Sequence, residues 1–557
     1  MNGIAQPFRS VDKQFLKRFC ARDVTLWTEK DSEKEEVAHR LGWLDVLTTG
    51  DKIIQRVQTL LDELIYEGFS HAVVLGMGGS SLAPEVFSKM FHNPDLLKKE
   101  RLILSILDTT NPEQIESKRK ELPIEKTLFI VSSKSGGTAE VNALEAYFWN
   151  ELDKSGIEKP GNQFIAITDP GTSLEKKGKE KGYREIVRAN PNVGGRYSAL
   201  IEFGLVPAVL MGIDWQRLLD NARKMQLDCS DQQSLSENPG IVLGKFLGEA
   251  YNAGKDKLTL IADPGLESLG SWIEQLVAES SGKNGKGILP IDLEPIQKHE
   301  FYESDRIFAY FSNGGQHAAF IEEQDRSGHP VINFRIDDPY EIGAEFLRWE
   351  TATAAACAMI GVNAFDQPNV QLSKSITQEM IGNIKQNSGL VGQDPIFSSE
   401  EVDVYGEFEV LGNSQTICEL ISQYLASIRP GDFVAINAFV ANNCKFSTAL
   451  QKFRKAVADR TKAPTTLGFG PRFLHSTGQI HKGGKNNGSF LIITTEHDND
   501  LEIPGEGMSF GTLQNAQAIG DMRALQQMNR RVIRIHLKKG KSAADHIANL
   551  LKEFEMQ

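Results

Sequence analysis

The 557-residue sequence predicts an α/β protein with two doubly wound parallel-sheet units and a C-terminal α/β region. Three observations carry this expectation. Short apolar runs such as HAVVLG (His71–Gly76) and TLFIVSS (Thr127–Ser133) lack polar alternation, as strands covered on both faces do. Longer helical stretches, Asp51–Glu67 and Ala139–Lys154 among them, separate these runs and supply parallel crossovers. At roughly 150 residues per domain, the length suits three to four folding units.

In chain order, residues 1–45 are charge-rich and predicted helical, ending at HRLGWL (His39–Leu44). Residues 46–227 form the first unit, with strands at His71–Gly76, Arg101–Asp108, Thr127–Ser133 and Gln163–Asp169. Residues 228–374 form the second, after the polar stretch Asp228–Asn238. Its strands are Asp256–Asp263, Gly287–Asp292, Arg306–Phe311 and Pro330–Ile336, and the long helix Tyr340–Gly361 closes it. Residues 375–557 hold further strands at DFVAINAF, SFLIITT and RVIRIHL. The last lies in a basic cluster (Arg530, Arg531, Arg534, Lys538, Lys539, Lys541) and reads as an edge strand with a solvated basic face.

Composition narrows the function classes. A hydrophobic fraction of 40%, a charged fraction of 24% and a mean hydropathy of −0.30 describe a soluble globular chain. With 61 Lys+Arg against 74 Asp+Glu, the net charge of −13 argues against nucleic acid as a partner. No apolar run approaches the ~20 residues that span a bilayer, and the N-terminus has no signal-like apolar segment, so no membrane association is expected. Five scattered cysteines form no CxxC pair, which suits a reducing, cytoplasmic compartment and offers no metal cage.

Ligands of open parallel sheets bind beyond the carboxyl ends of the strands. LGMGGSSLAPE (Leu75–Glu85) begins like a dinucleotide fingerprint, but Ser81 stands where the sixth-position glycine belongs. What remains is a glycine turn followed by two hydroxyls at a helix start, suited to a small phosphate or simply to a tight turn. SSKSGGTAE (Ser132–Glu140) is the stronger signal. Ser133, Ser135 and Thr138 offer hydroxyls, Gly136 and Gly137 offer backbone N–H groups, and a helix start adds partial positive charge. An N-cap alone needs only one such hydroxyl. NVGGRYS (Asn192–Ser198) holds Arg196 between two glycines and a helix that Ser198 is expected to cap, where the guanidinium is placed to stabilise an oxyanion. Gln275 and Glu279, four apart in WIEQLVAESSGKNGKG, share one helix face. Glu279 lies in the last turn, where the helix dipole favours proton uptake and a general-base role. Lys374 follows the turn at Pro368 in FDQPNVQLSK.

Together GMGGSS, SSKSGGT, GGRYS, the ES-GK of Glu279–Lys283 and FDQPNVQLSK resemble, in order, the glucose-6-phosphate isomerase family of two sugar-isomerase (SIS) domains. FGLVPA, WIEQLVAES and RFLHSTGQIHKGG are most similar to the isomerase half of bifunctional transaldolase/glucose-6-phosphate isomerase proteins. A transaldolase barrel of roughly 250 residues has no room beside these motifs, so the isomerase alone is expected.

The resemblance implies reversible conversion of glucose 6-phosphate to fructose 6-phosphate in glycolysis and gluconeogenesis, through ring opening and a cis-enediol. It implies no cofactor or metal, a small sugar phosphate as substrate, and a homodimer. Position by position, Gly79, Ser80, Ser133, Ser135 and Thr138 match the phosphate-binding loops, and Gln275 a substrate-contacting glutamine. Arg196 matches the enediolate-stabilising arginine, Glu279 the base moving a proton between C1 and C2, and Lys374 the lysine that assists ring opening. NGGQHAAF resembles the family's ring-opening segment with one extra glycine, which nominates His317; His475 and His481 are alternatives. Val141 stands where a further hydroxyl is typical, a modest loss for anion binding. A phosphosugar-binding regulator would keep the serine loops without Arg196, Glu279 and Lys374. A different SIS-family sugar-phosphate isomerase, such as an aminosugar-phosphate isomerase, fits GGRYS poorly.

Overall fold

The computed structural model describes residues 11–45, 51–369, 375–376, 378–382, 394–407, 416–538, 545 and 547–548. Lys374, Lys539 and Lys541 lie outside them.

The first sheet contains β1 (His71–Gly76), β2 (Ile103–Leu107), β3 (Thr127–Ser132), β4 (Phe164–Thr168) and β5 (Glu185–Arg188). All pairings are parallel, in the order β2-β1-β3-β4-β5. Every residue of β3 and β4 is buried, which explains their unbroken apolar sequences. The order reverses between β1 and β3, so the crevice at their carboxyl ends is the switch point of the sheet. Gly76 pairs with Ser132 there, and the two loops that follow therefore leave the sheet at one level.

A second parallel sheet runs β7-β6-β8-β9, from β6 (Lys257–Ala262), β7 (Leu289–Ile291), β8 (Arg306–Ser312) and β9 (Val331–Arg335). Helix Ser268–Ser281 follows β6, and the almost wholly buried helix Ile342–Ile360 follows β9. The N-terminal helices Lys13–Cys20 and Asp31–His39 share an apolar core with both sheets, and Trp27 Nε1 donates to the Ala354 carbonyl at 2.8 Å.

The third sheet has β10 (Phe397–Ser398), β11 (Val402–Gly406), β12 (Phe433–Phe439), β13 (Thr465–Phe469), β14 (Gly488–Thr495) and, after the small hairpin β15 (Glu502–Ile503) and β16 (Met508–Ser509), β17 (Arg531–Leu537). Its order is β10-β11-β17-β14-β12-β13. This corrects the expectation of a basic edge strand: β17 lies inside the sheet, antiparallel to β11 and parallel to β14. Its charges are absorbed locally. Arg531 pairs with Asp432 at 2.8 Å, and the buried Arg534 donates to Thr494 Oγ1 and lies 4.1 Å from the Tyr405 ring. No helix among the described residues is long and apolar enough to cross a membrane.

The third sheet's helices and loops reach both other units. Ala278, Leu289 and Ile291 of the second share an apolar cluster with Phe433, Phe473, Ile480 and Phe490. Ile503, Phe510 and Leu513 pack into the cluster of the first sheet.

Candidate active site

Two of the chemistry-bearing turns, Gly78–Ser80 and Gly195–Tyr197, meet the Ser268–Ser281 helix. The turn Gly78–Ser80 after β1 lies against the turn Gly195–Tyr197. A Cβ on Gly79 would fall 2.0 Å from the Gly195 carbonyl oxygen and 2.4 Å from its carbon, both backbone atoms that cannot swing aside. Glycine is therefore demanded at this contact. Gly79→Ala is expected to displace the arginine-bearing turn by about 1 Å and to lower kcat roughly a hundredfold, read in a steady-state isomerase assay. Ser198 does not cap the following helix, which begins at Glu202 with Ile201 in the cap position. Instead its hydroxyl donates to the carbonyls of Gly195 (2.6 Å) and Gly79 (3.3 Å), tying the two turns together.

In the loop after β3, the Ser133 and Thr138 hydroxyls meet at 2.9 Å. Thr138 occupies the N-cap of helix Ala139–Lys154 without spending its hydroxyl on a cap bond. Ser135 is exposed at the loop tip, where its Oγ accepts from Gly137 N–H. Lys134 turns away from this cluster to Asp169 at 2.5 Å, and burial pulls its ammonium below the usual lysine range. Ser80 is buried beside the loop, its carbonyl accepting from Ser132 Oγ at 3.3 Å.

Arg196 is 3% exposed, so each of its donors must find a protein partner. Nε donates to Ser280 Oγ at 2.8 Å, Nη1 to Gln367 Oε1 at 2.7 Å, and Nη2 to the carbonyls of Ala364 (2.5 Å) and Asp366 (3.1 Å). Nη1 also stands 3.3 Å from Glu279 Oε1. On the other oxygen, Gln275 Nε2 donates to Glu279 Oε2 at 3.1 Å. The helix dipole that disfavours an anion at Glu279 is thus opposed by a buried guanidinium.

The FDQ segment has a physical explanation here. Phe365 packs edge-on against Trp27 and beside Tyr197, while the Asp366 carbonyl and the Gln367 amide oxygen serve Arg196. The Asp366 carboxylate pairs with Lys283 at 2.9 Å, and Lys283 also donates to the Asn363 carbonyl. Burial draws the Lys283 ammonium down to about 8 despite that partner. Ser280, Lys283 and Gln367 carry much of this geometry. The sequence motifs that contain these three show no such role, because their partners lie 80 to 171 residues away.

The histidines separate clearly. His317 precedes helix Ala318–Arg326, and its backbone N–H meets Asp263 and Tyr310. Among the described residues no hydrogen bond or ion pair joins it to Arg196, Gln275 or Glu279. His481 belongs to the core: its ring lies among Phe433, Phe473 and Phe490, neither nitrogen has a hydrogen-bond partner among the described residues, and burial forces it far below the usual histidine range. His475 lies in the site, its carbonyl accepting from Gln275 Nε2 at 2.8 Å. Among the described residues no group of three or more His, Cys, Asp or Glu is placed to hold a metal ion.

A phosphoglucose isomerase family model matches residues 44–322, half of the chain. The chain belongs to the phosphoglucose isomerase family. It is accordingly a sugar-phosphate isomerase by class. A probable glucose-6-phosphate isomerase of Methanococcus maripaludis is 28% identical over 393 residues, covering 64% of this chain and 87% of that protein. The glucose-6-phosphate isomerase of Clostridium tetani is 30% identical over 397 residues, covering 61% and 87%. A solved glucose-6-phosphate isomerase from Chlamydia trachomatis shares the fold with a TM-score of 0.53 at 19% identity, covering 68% of this chain and 87% of that one.

Proposed function

We propose that this phosphoglucose isomerase family member interconverts glucose 6-phosphate and fructose 6-phosphate through an open-chain substrate and a cis-enediol. The observation that carries the reading is the Gln275–Glu279–Arg196 group, closed within 3.1–3.3 Å beside the Gly78–Ser80 turn. A carboxylate that can take a proton stands next to a cation that can hold the resulting oxyanion, which is what enolisation requires. In this reading Glu279 moves the proton between C2 and C1, Arg196 stabilises the enediolate, and Gln275 orients both carboxylate and substrate. Ser80, Ser133, Ser135, Thr138 and the Gly79 backbone bind the phosphate dianion. The helix starts that follow β1 and β3, strands whose ends pair at Gly76 and Ser132, supply partial positive charge to it. Lys374 is assigned to substrate positioning and ring opening by resemblance alone. Family membership supports a role in glycolysis and gluconeogenesis, a cytoplasmic location and a homodimeric assembly.

The test is NMR of purified protein with fructose 6-phosphate in deuterated water. Formation of glucose 6-phosphate, with solvent deuterium entering at C2, is the expected result. Tight binding of fructose 6-phosphate without turnover or exchange would favour a phosphosugar-binding regulator instead.

A further inference from the structure

A cavity of about 320 Å³ lies where helix Ser268–Ser281 meets the third sheet, at the lower end of the volumes that hold small organic ligands. Among the described residues that line it, none is Arg196, Gln275, Glu279, Ser80, Ser133 or Thr138. The turn Arg472–His475 stands between the cavity and the catalytic group. On one side the His475 carbonyl accepts from Gln275; on the other the next residue, Ser476, donates to Glu274 at 3.4 Å. We propose that this cavity is a second ligand site, binding a small organic ammonium ion between the Glu274 and Asp292 carboxylates.

The two acids are placed as a pair. A Cβ on Gly270 would fall 2.0 Å from Asp292 Oδ1, so the Asp292 carboxylate rests directly on the helix at that residue. Glu274 follows four residues later and shares the same helix face. A side chain at position 270 would push Asp292 out of this seat. Among the described residues neither acid has an ion-pair partner, and the long bond from Ser476 is the one side-chain hydrogen bond that either accepts. Burial, with Asp292 close by, pushes the Glu274 carboxyl up to about 8. Burial likewise pushes Asp292 up to about 7.

The cations of the lining are already committed. Arg454 gives Nη1 to the carbonyls of Asp292 and Leu293 at 3.0 and 2.9 Å, and Nε and Nη2 to Thr465 at 3.1 and 2.5 Å. Arg472 pairs with Glu85 and stands 3.3 Å from Asp108, and Lys89 pairs with Glu85 at 2.7 Å. Glu267, the remaining charged group of the lining, accepts from the Gly265 N–H at 2.7 Å. What the cavity still offers is acceptors. Ser268 is 7% exposed and its Oγ has no hydrogen-bond partner among the described residues. Gln451 Oε1, from helix Cys444–Thr461, has none either. Two carboxylates, an amide oxygen and an unspent hydroxyl around one void suit a positive group with several N–H donors. A metal ion asks for more ligands than this pair, and no group of three or more His, Cys, Asp or Glu is placed to hold one among the described residues.

The experiment is isothermal titration calorimetry of the full-length protein with 1,4-diaminobutane, beside Glu274→Gln and Asp292→Asn. Both amides keep the shape of the acid they replace, and matching urea midpoints check that each variant folds. Wild type is expected to bind saturably, and each variant about tenfold more weakly or worse, the loss of one charge-assisted hydrogen bond. Both acids must ionise to hold the ligand, while Arg454 and Arg472 stay charged throughout. Wild-type affinity is therefore expected to rise about tenfold from pH 6 to pH 8, with protons released on binding. The uncharged 1,4-butanediol, of the same length, is expected to bind far more weakly. Absence of saturable diamine binding overturns the proposal. So does equal binding by wild type and both variants, the mark of diffuse attraction to an acidic protein. Butanediol bound as tightly as the diamine overturns the ammonium assignment. The readout is binding alone, so its failure leaves the isomerase reading untouched.

Discussion

Glu279→Gln is expected to lower turnover of glucose 6-phosphate about a thousandfold while leaving KM within a factor of a few. The substitution keeps the side chain's length and an oxygen within reach of Arg196 Nη1, so the buried network of Gln275, Arg196 and Gln367 persists. What disappears is the only group in that network able to accept a proton from carbon. Binding relies on the serine loops, which the change does not touch. Coupled steady-state kinetics and solvent-deuterium exchange should fall together. Unaltered exchange with reduced turnover would place the defect in another step and remove Glu279 from the proposed role.

Arg196→Met should have a second, differently shaped effect. Four hydrogen bonds end on the guanidinium, to Ser280, Gln367 and the carbonyls of Ala364 and Asp366. Methionine fills similar volume but leaves those acceptors and the 7% exposed Glu279 without their cation. Breaking a buried pair in this way costs about 3–5 kcal/mol. Losing the oxyanion partner lowers kcat about 10²–10³-fold. The variant should therefore lose both activity and denaturant resistance, with its urea midpoint falling, where Glu279→Gln loses activity alone. A stable, active Arg196→Met protein would contradict both the structural and the catalytic assignment.

Fold and site were legible to different depths, for reasons visible in particular residues. Fully covered strands announce themselves, and β1 and β12 run close to where their apolar sequences placed them. β5 (EIVR) and β13 (TTLGF) are too short and mixed to stand out, and only neighbours supply their place. β17 misled because its arginines look solvated until Asp432, Thr494 and Tyr405, all distant in sequence, are brought beside them. Glycine turns and serine loops pointed to phosphate because their chemistry is local. The Arg196–Gln367 contact spans 171 residues and the His475–Glu140 contact 335, separations that no spacing rule reads. Likewise nothing in RFLHSTGQIHKGG distinguishes a histidine facing the site from one packed among phenylalanines.

The dependence of the first two sheets on the third has a consequence for how the chain is made. Gln275 and Gly282 both bond to the RFLHSTGQIHKGG segment, across 200 and 197 residues. At 5–20 residues per second, a ribosome takes roughly 10–40 s to traverse that interval. During it the growing chain can complete the first two sheets, but not the side of the Ser268–Ser281 helix that Ile480 and Phe473 cover. The growing chain thus carries that apolar face of the helix uncovered until the final third emerges to close it.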